Sequence, residues 1–141
     1  MTNVIVKIGG EVFPGVLLEE KAPKTCEVFK KMMPLKEKVI HVRWSGEGVW
    51  IPYGDMAPDL DYENNTCYPA PGEFVFYPGS HGAVSETEIL IAYGRVNFAC
   101  MAGQISGNHF LTITEGLDRL YAMGRKVLYE GAQDIEIEIC E

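Results

Sequence analysis

The C-terminal stretch Ile135-Glu136-Ile137-Glu138-Ile139 alternates strictly between apolar and acidic residues. Successive strand side chains point to opposite faces, so this stretch predicts a strand with one face buried and one in water. A short β-branched run over residues 3–8 opens the chain, and Gly9-Gly10 supplies a tight turn into residues 11–19, which reads as a hairpin. The spacing changes after Pro23: Val28, Phe29 and Met32 fall on one face of a helix whose first turn suits Pro23 and which Pro34 stops.

Residues 39–44 and 48–52 read as two strands broken by Ser45-Gly46-Glu47, and residues 72–78 as another, followed by a turn over residues 79–82. Thr87 to Tyr93 has the composition of a strand buried on both faces. Residues 54–71 are a long loop rich in Asp, Asn and Pro, and long loops inside small domains are often functional. Residues 101–107 are loop, residues 109–114 a strand, and residues 115–123 a helix with Gly124 as its C-cap. Many short strands with only two helices predict a mainly β fold: a closed antiparallel barrel, its ends capped by the two helices.

At 141 residues the chain has the size of one domain, 1–141, with a single core. Apolar residues at 47% and charged residues at 23% exclude a disordered chain. A formal charge of -8 opposes phosphate backbones, so nucleic acid is not an expected partner. Cys26, Cys67, Cys100 and Cys140 lie far apart and suit free thiols in a reducing compartment. No apolar stretch is long enough to span a membrane and the first residues do not read as a secretion signal, so a cytoplasmic location is expected. Neither a cofactor nor a metal is expected, because His41, His81 and His109 show no short-range ligand spacing.

Ile8-Gly9-Gly10-Glu11, Val16 to Glu20, Ala22-Pro23-Lys24-Thr25 and Phe29 occur in the order that opens cyclophilins. Gly107-Asn108-His109 and Glu115-Gly116-Leu117-Asp118 resemble the strand and helix near the cyclophilin C-terminus. The chain is also similar to short bacterial and archaeal cyclophilin-like proteins without an assigned function, which carry motifs like Arg43-Trp44-Ser45-Gly46-Glu47 and Pro71-Gly72-Glu73. Both resemblances imply an eight-stranded barrel with two helices, that is, a cyclophilin-like barrel.

The cyclophilin resemblance implies that Arg43, near His41, stands where that family polarises a prolyl amide. A fixed guanidinium stabilises charge that grows in a transition state; the plain alternative is an exposed Arg paired with Glu47 or Glu73. The family's Gln corresponds to Glu88, a carboxylate that either pairs with a cation such as Arg43 or has a raised pKa. Gln104 stands where the family has a ligand-contacting Trp, and His109 where it has a His. Arg43, Glu47, Glu88 and His109 are therefore the candidate catalytic residues, with Glu47 as a general base.

Trp44, Ser45, Trp50, Tyr53 and Gln104 are the candidate ligand-binding residues, Trp44, Trp50 and Tyr53 supplying an apolar wall in place of the prolyl pocket. Glu63, Asn64 and Tyr68 on the long loop could fold over the same face. Ser45 lacks the Gly-x-Ser-x-Gly elbow of serine hydrolases. Three readings follow: binding of, or action on, a small polar amide- or carboxylate-containing molecule around Arg43; a divergent peptidyl-prolyl isomerase; and an assembly protein that forms a homo-oligomer through Trp44, Trp50 and Tyr53.

Overall fold

The computed structural model describes residues 1–80 and 84–140; the expected turn over 79–82 and His81 thus lie wholly or partly outside the described residues. The elements run β1 (Asn3–Ile8), β2 (Glu11–Leu17), α1 (Pro23–Lys31), β3 (Leu35–His41), β4 (Gly46–Gly54), β5 (Asn65–Thr66), β6 (Glu73–Tyr77), β7 (Thr87–Val96), β8 (Ala99–Cys100), β9 (Gly103–Gln104), β10 (Gly107–Ile113), α2 (Leu117–Glu130) and β11 (Gln133–Ile139). Eight strands form a closed antiparallel ring in the order β2-β1-β11-β3-β4-β7-β6-β10, with β10 returning to pair with β2. Closure gives every strand of the ring a partner on both sides along at least part of its length.

Gly9 and Gly10 both have positive φ, +56° and +88°, as a two-residue hairpin turn between right-twisted strands requires. The alternating C-terminal stretch is β11, and Ile135 and Ile137 are buried between β1 and β3. The barrel interior is filled by apolar side chains from every strand of the ring. Phe110 lies at its centre, with ring centroids 4.9 Å from Phe29, 6.3 Å from Phe74 and 5.9 Å from Phe76.

Helix α1 closes one end of the barrel, and its start is fastened from far along the chain. The Glu63 carboxylate accepts hydrogen bonds from the Thr25 amide (2.6 Å) and hydroxyl (2.8 Å), which places a negative charge where the helix's free N–H groups and dipole favour one. Asn108, fully buried, donates to Thr25 Oγ1 and to the Asp61 carbonyl. Glu63 and Asn64 therefore hold the long loop to α1 and β10 instead of folding over Arg43.

Three expectations about the elements are corrected. The strand expected over 39–44 spans 35–41, because Leu35 to Val39 pair with β11 while the bonding to β4 runs out at Val42. The following strand is longer than residues 48–52, running from Gly46 to Gly54. Gly124 does not cap α2, which continues to Glu130 and is capped at Gly131. The glycine serves contact instead: a Cβ there would lie 2.2 Å from the Tyr93 ring, so its absence lets α2 pack onto the barrel's other end.

Candidate active site on the outer face of the barrel

The outward-pointing residues of β4, β7 and β6 carry a second apolar cluster, separate from the interior. Register sets Trp50 beside Leu90 and Leu90 beside Val75, with Glu88 between Pro52 and Tyr77 at the end of the same face. The ribbon β8–β9 and its flanking residues cover this face and bury Phe98, Cys100 and Ile105 against it. Ser45 is the fastener. Its hydroxyl donates to the Ala99 carbonyl (3.1 Å) and accepts from the Ala99 amide (3.0 Å), while its carbonyl accepts from the Asn97 amide (2.9 Å).

A small pocket of about 30 Å³ remains between ribbon and sheet, lined by Arg43, Trp44, Ser45, Trp50, Glu88 and Cys100 among others. Glu88 is only 6% exposed and makes no hydrogen bond or ion pair among the described residues. Burial, with a smaller contribution from the charge of Glu86, pushes its carboxyl up to about 8. It is therefore a neutral carboxylic acid at pH 7, able to donate one hydrogen bond and accept others. Arg43 is exposed at the rim with its guanidinium carbon 4.5 Å from the centre of the Trp44 ring. It too makes no ion pair among the described residues.

Five of the nine candidate residues meet in this pocket: Arg43, Trp44, Ser45, Trp50 and Glu88. The other four stand elsewhere. Glu47 lies under α2, accepting from the Arg95 amide (3.0 Å) and the Tyr121 hydroxyl (2.8 Å), and these two bonds hold its pKa below the usual carboxylate value. Tyr53 points inward from β4 and packs on the interior core. Gln104 lines a larger cleft of about 380 Å³ with Asp61, Tyr62, Tyr77 and Ser80, where its amide donates to the Tyr68 hydroxyl and to Asn97 Oδ1.

His109 lies on the outer face of β10, two strands from Glu88, which at ordinary strand spacing is about 10 Å across the sheet. It is hydrogen-bonded to Thr112 Oγ1 (2.7 Å) and lies 3.7 Å from Glu73. Burial lowers its pKa, against the opposing charge of Glu73. Phe98 packs against Gly107, two residues before the histidine, and against Tyr77, with ring centroids 6.2 Å apart. Val42, Ser85, Ala99 and Cys100 are the pocket residues that sequence reading misses, along with the covering residues Phe98 and Ile105; only the fold of the ribbon brings Ala99, Cys100, Phe98 and Ile105 over the sheet. Among the described residues no group of three His, Cys, Asp or Glu side chains is placed to hold a metal ion, and no helix is long and apolar enough to cross a membrane.

Comparison with known proteins agrees with this architecture. Residues 6–139 match a family described as a protein of unknown function (DUF3830). No curated protein matches the chain in sequence. Among solved structures, McbB in complex with tryptophan aligns over 96% of this chain with a TM-score of 0.71 and 16% identity; the chain spans only 44% of McbB's length. The hypothetical protein AF2241 from Archaeoglobus fulgidus aligns over 99% of this chain and 95% of its own, with a TM-score of 0.63 and 15% identity. A cyclophilin-type peptidyl-prolyl cis-trans isomerase from Cryptosporidium parvum, solved in the presence of the dipeptide Ala-Pro, covers 99% of both chains with a TM-score of 0.61 and 13% identity. At these identities the likeness is one of fold, which is cyclophilin-like.

Proposed function

The chain belongs to this family of unknown function, and from the chemistry of its outer face we infer that it binds, or acts on, a small molecule carrying a carboxylate and an amide-like group. One observation carries the reading: the buried Glu88 and the exposed Arg43 guanidinium, neither with a partner among the described residues, line the same pocket with Trp44 and Trp50. A carboxyl kept in a largely buried position without a protein partner is free to meet a ligand, and the exposed guanidinium at the rim is free to meet the ligand's charge. Arg43 at the rim takes the ligand's carboxylate in a bidentate pair. Glu88 in its neutral form donates to the ligand's amide oxygen, which an ionised carboxylate could not do. The pocket of about 30 Å³ admits one functional group of a few atoms, so the remainder of the ligand rests on Trp44.

A thermal-shift panel of carboxylates, cyclic amides, ureides and amino acids tests this, with tryptophan included because McbB is solved with it. At a hundredfold excess over Kd a true ligand stabilises by about 2.7 kcal/mol. Arg43→Ala is expected to abolish the shift for carboxylate ligands. A panel that moves the melting temperature of neither the wild type nor the variant would discard the reading.

The second reading is a divergent peptidyl-prolyl isomerase, favoured by the fold shared with the Cryptosporidium enzyme and by Arg43 at the rim. Phe98, Ile105 and Trp50 occupy the apolar face against which a prolyl ring would pack, and this ranks it below the first. In a coupled isomerisation assay, relaxation no faster than the uncatalysed tens of seconds removes it.

A further inference from the structure

The barrel wall is not uniformly closed. Strand β3 pairs with β4 only at Ile40↔Trp50 and His41↔Val49, continued by a bond from the Val42 amide to the Gly48 carbonyl (3.1 Å). Hydrogen-bonded pairs alternate along an antiparallel ladder. With Val42–Gly48 and Ile40–Trp50 as two of them, the next would join Lys38 to Pro52. Proline has no N–H to give, and the ladder ends there. Beyond that point β3 stays paired to β11 on its other side, through Val39, Glu37 and Leu35. The main-chain groups of Lys36 and Lys38 face β4 beyond the end of the pairing between the two strands.

The two strands part around a cleft of about 580 Å³ lined by Lys36, Glu37, Lys38 and Pro52 on its two banks and by Asp134 and Glu136 of β11. Lys36, Glu37 and Lys38 are all exposed, which breaks the strand's alternation. Glu37 stands opposite Ile135, a residue of the interior, so the cleft exposes a carboxylate on the inward-facing register of the barrel. Tyr53 is its neighbour from β4: the phenol pKa is raised by burial and by the charge of Glu37, and the hydroxyl is buried without a hydrogen-bond partner. Glu37 makes no ion pair among the described residues, whereas Lys38 is already held by Asp134 at 2.7 Å.

We propose that this cleft receives an extended peptide as an added strand on β3, with a basic side chain of the peptide seated against Glu37. The backbone of a strand repeats its donors and acceptors at the spacing that Lys36 and Lys38 present, which is the basis of strand addition at a sheet edge. From Leu35 to Val39 the edge is five residues long, room for a peptide of about 17 Å. Charge selects the occupant: Glu37, on the cleft's inward register, has no cation paired with it among the described residues, and the chain as a whole is acidic at -8. The site is distinct from the Arg43 pocket, from which it shares no lining residue.

The test uses the full chain and two capped five-residue peptides of alternating valine and threonine, one with lysine at the centre and one with glutamate. By amide hydrogen exchange, saturating lysine peptide is expected to slow the Lys36 and Lys38 amides at least tenfold. It should bind up to about fivefold tighter than the glutamate peptide, as a partly exposed ion pair allows. Glu37→Lys should reverse that preference, and Glu37→Gln should erase it while leaving the melting temperature in place. Unchanged exchange at Lys36 and Lys38, equal affinity for the two peptides, or spectral changes confined to Arg43 and Trp44 would each overturn the proposal.

Discussion

The barrel's interior and its outer face on β4, β7 and β6 are both apolar and both aromatic, yet they are built to different rules. Inside, side chains from all eight strands and both helices interlock and no carboxylate is enclosed. Outside, five buried residues of the sheet pack against Phe98, Cys100 and Ile105 of the ribbon and its flanks, and at their edge sits Glu88, buried and without a partner among the described residues. The other buried polar residues, Thr25, Ser45, Thr87 and Asn108, all have hydrogen bonds; at the interior's edge the half-buried Tyr53 keeps a buried hydroxyl with no partner among the described residues. The interior spends its apolar surface on stability alone. The outer face gives some of that stability up to keep an acid in a place where water would otherwise have ionised it.

The comparison breaks most readily at the phenylalanines. Phe110→Ala in the interior should lose about 3–5 kcal/mol in urea denaturation, the usual cost of an aromatic cavity. Phe98→Ala on the outer face should cost less, about 2 kcal/mol, because the ribbon can settle, and it should enlarge the Arg43 pocket. Equal losses would show that the outer face is simply more core.

Glu88 provides the next largest effect. Its folded pKa of about 8 stands above the ordinary 4.5, so the folded chain holds a proton that the unfolded chain releases. The contribution of Glu88 to stability is then complete below pH 4.5, falls as pH rises toward 8 at a slope of at most about 1.4 kcal/mol per unit, and levels off above. Glu88→Gln should flatten that fall in denaturation curves taken across the window. A wild type whose stability does not depend on pH there would mean that the carboxyl is wetter than its burial indicates.

Gly124→Ala should cost about 1–3 kcal/mol by forcing α2 off Tyr93, an overpacking penalty confined to the interior's end; thermal denaturation measures it. The smallest expected effect is at His109. Its imidazole should titrate by NMR below the ordinary 6.5, and lower still in Glu73→Gln, which removes the opposing charge. Because the unfolded histidine takes up its proton first as pH falls, this residue favours folding more as pH rises toward 6.5.

Much of the fold is written in period-two alternation and turn chemistry: β11, the Gly9-Gly10 hairpin and the doubly buried β7 follow from local pattern alone. The ends of β3 do not, because they are decided by a partner strand nearly a hundred residues away. Gly124 misleads for a related reason, since a glycine that permits a close contact and a glycine that ends a helix look alike without the contact. In the site, Trp50 and Glu88 share a face through strand parity, which sequence spacing can express. Glu47 parts from Arg43 because a register shift between Gly46 and Gly48 turns it toward α2. The ribbon that roofs the pocket has no periodicity to read.

A neutral Glu88 also alters how the molecule exchanges protons with its surroundings. The formal charge of -8 counts this carboxyl as ionised, so near pH 7 the folded chain should migrate in an electric field as though it carried one negative charge fewer. A ligand that accepts a hydrogen bond from Glu88 leaves that proton in place, whereas one that brings a cation against it drives the proton into the buffer. Calorimetry in buffers of different ionisation heat would therefore report which kind of molecule has entered, before its identity is known.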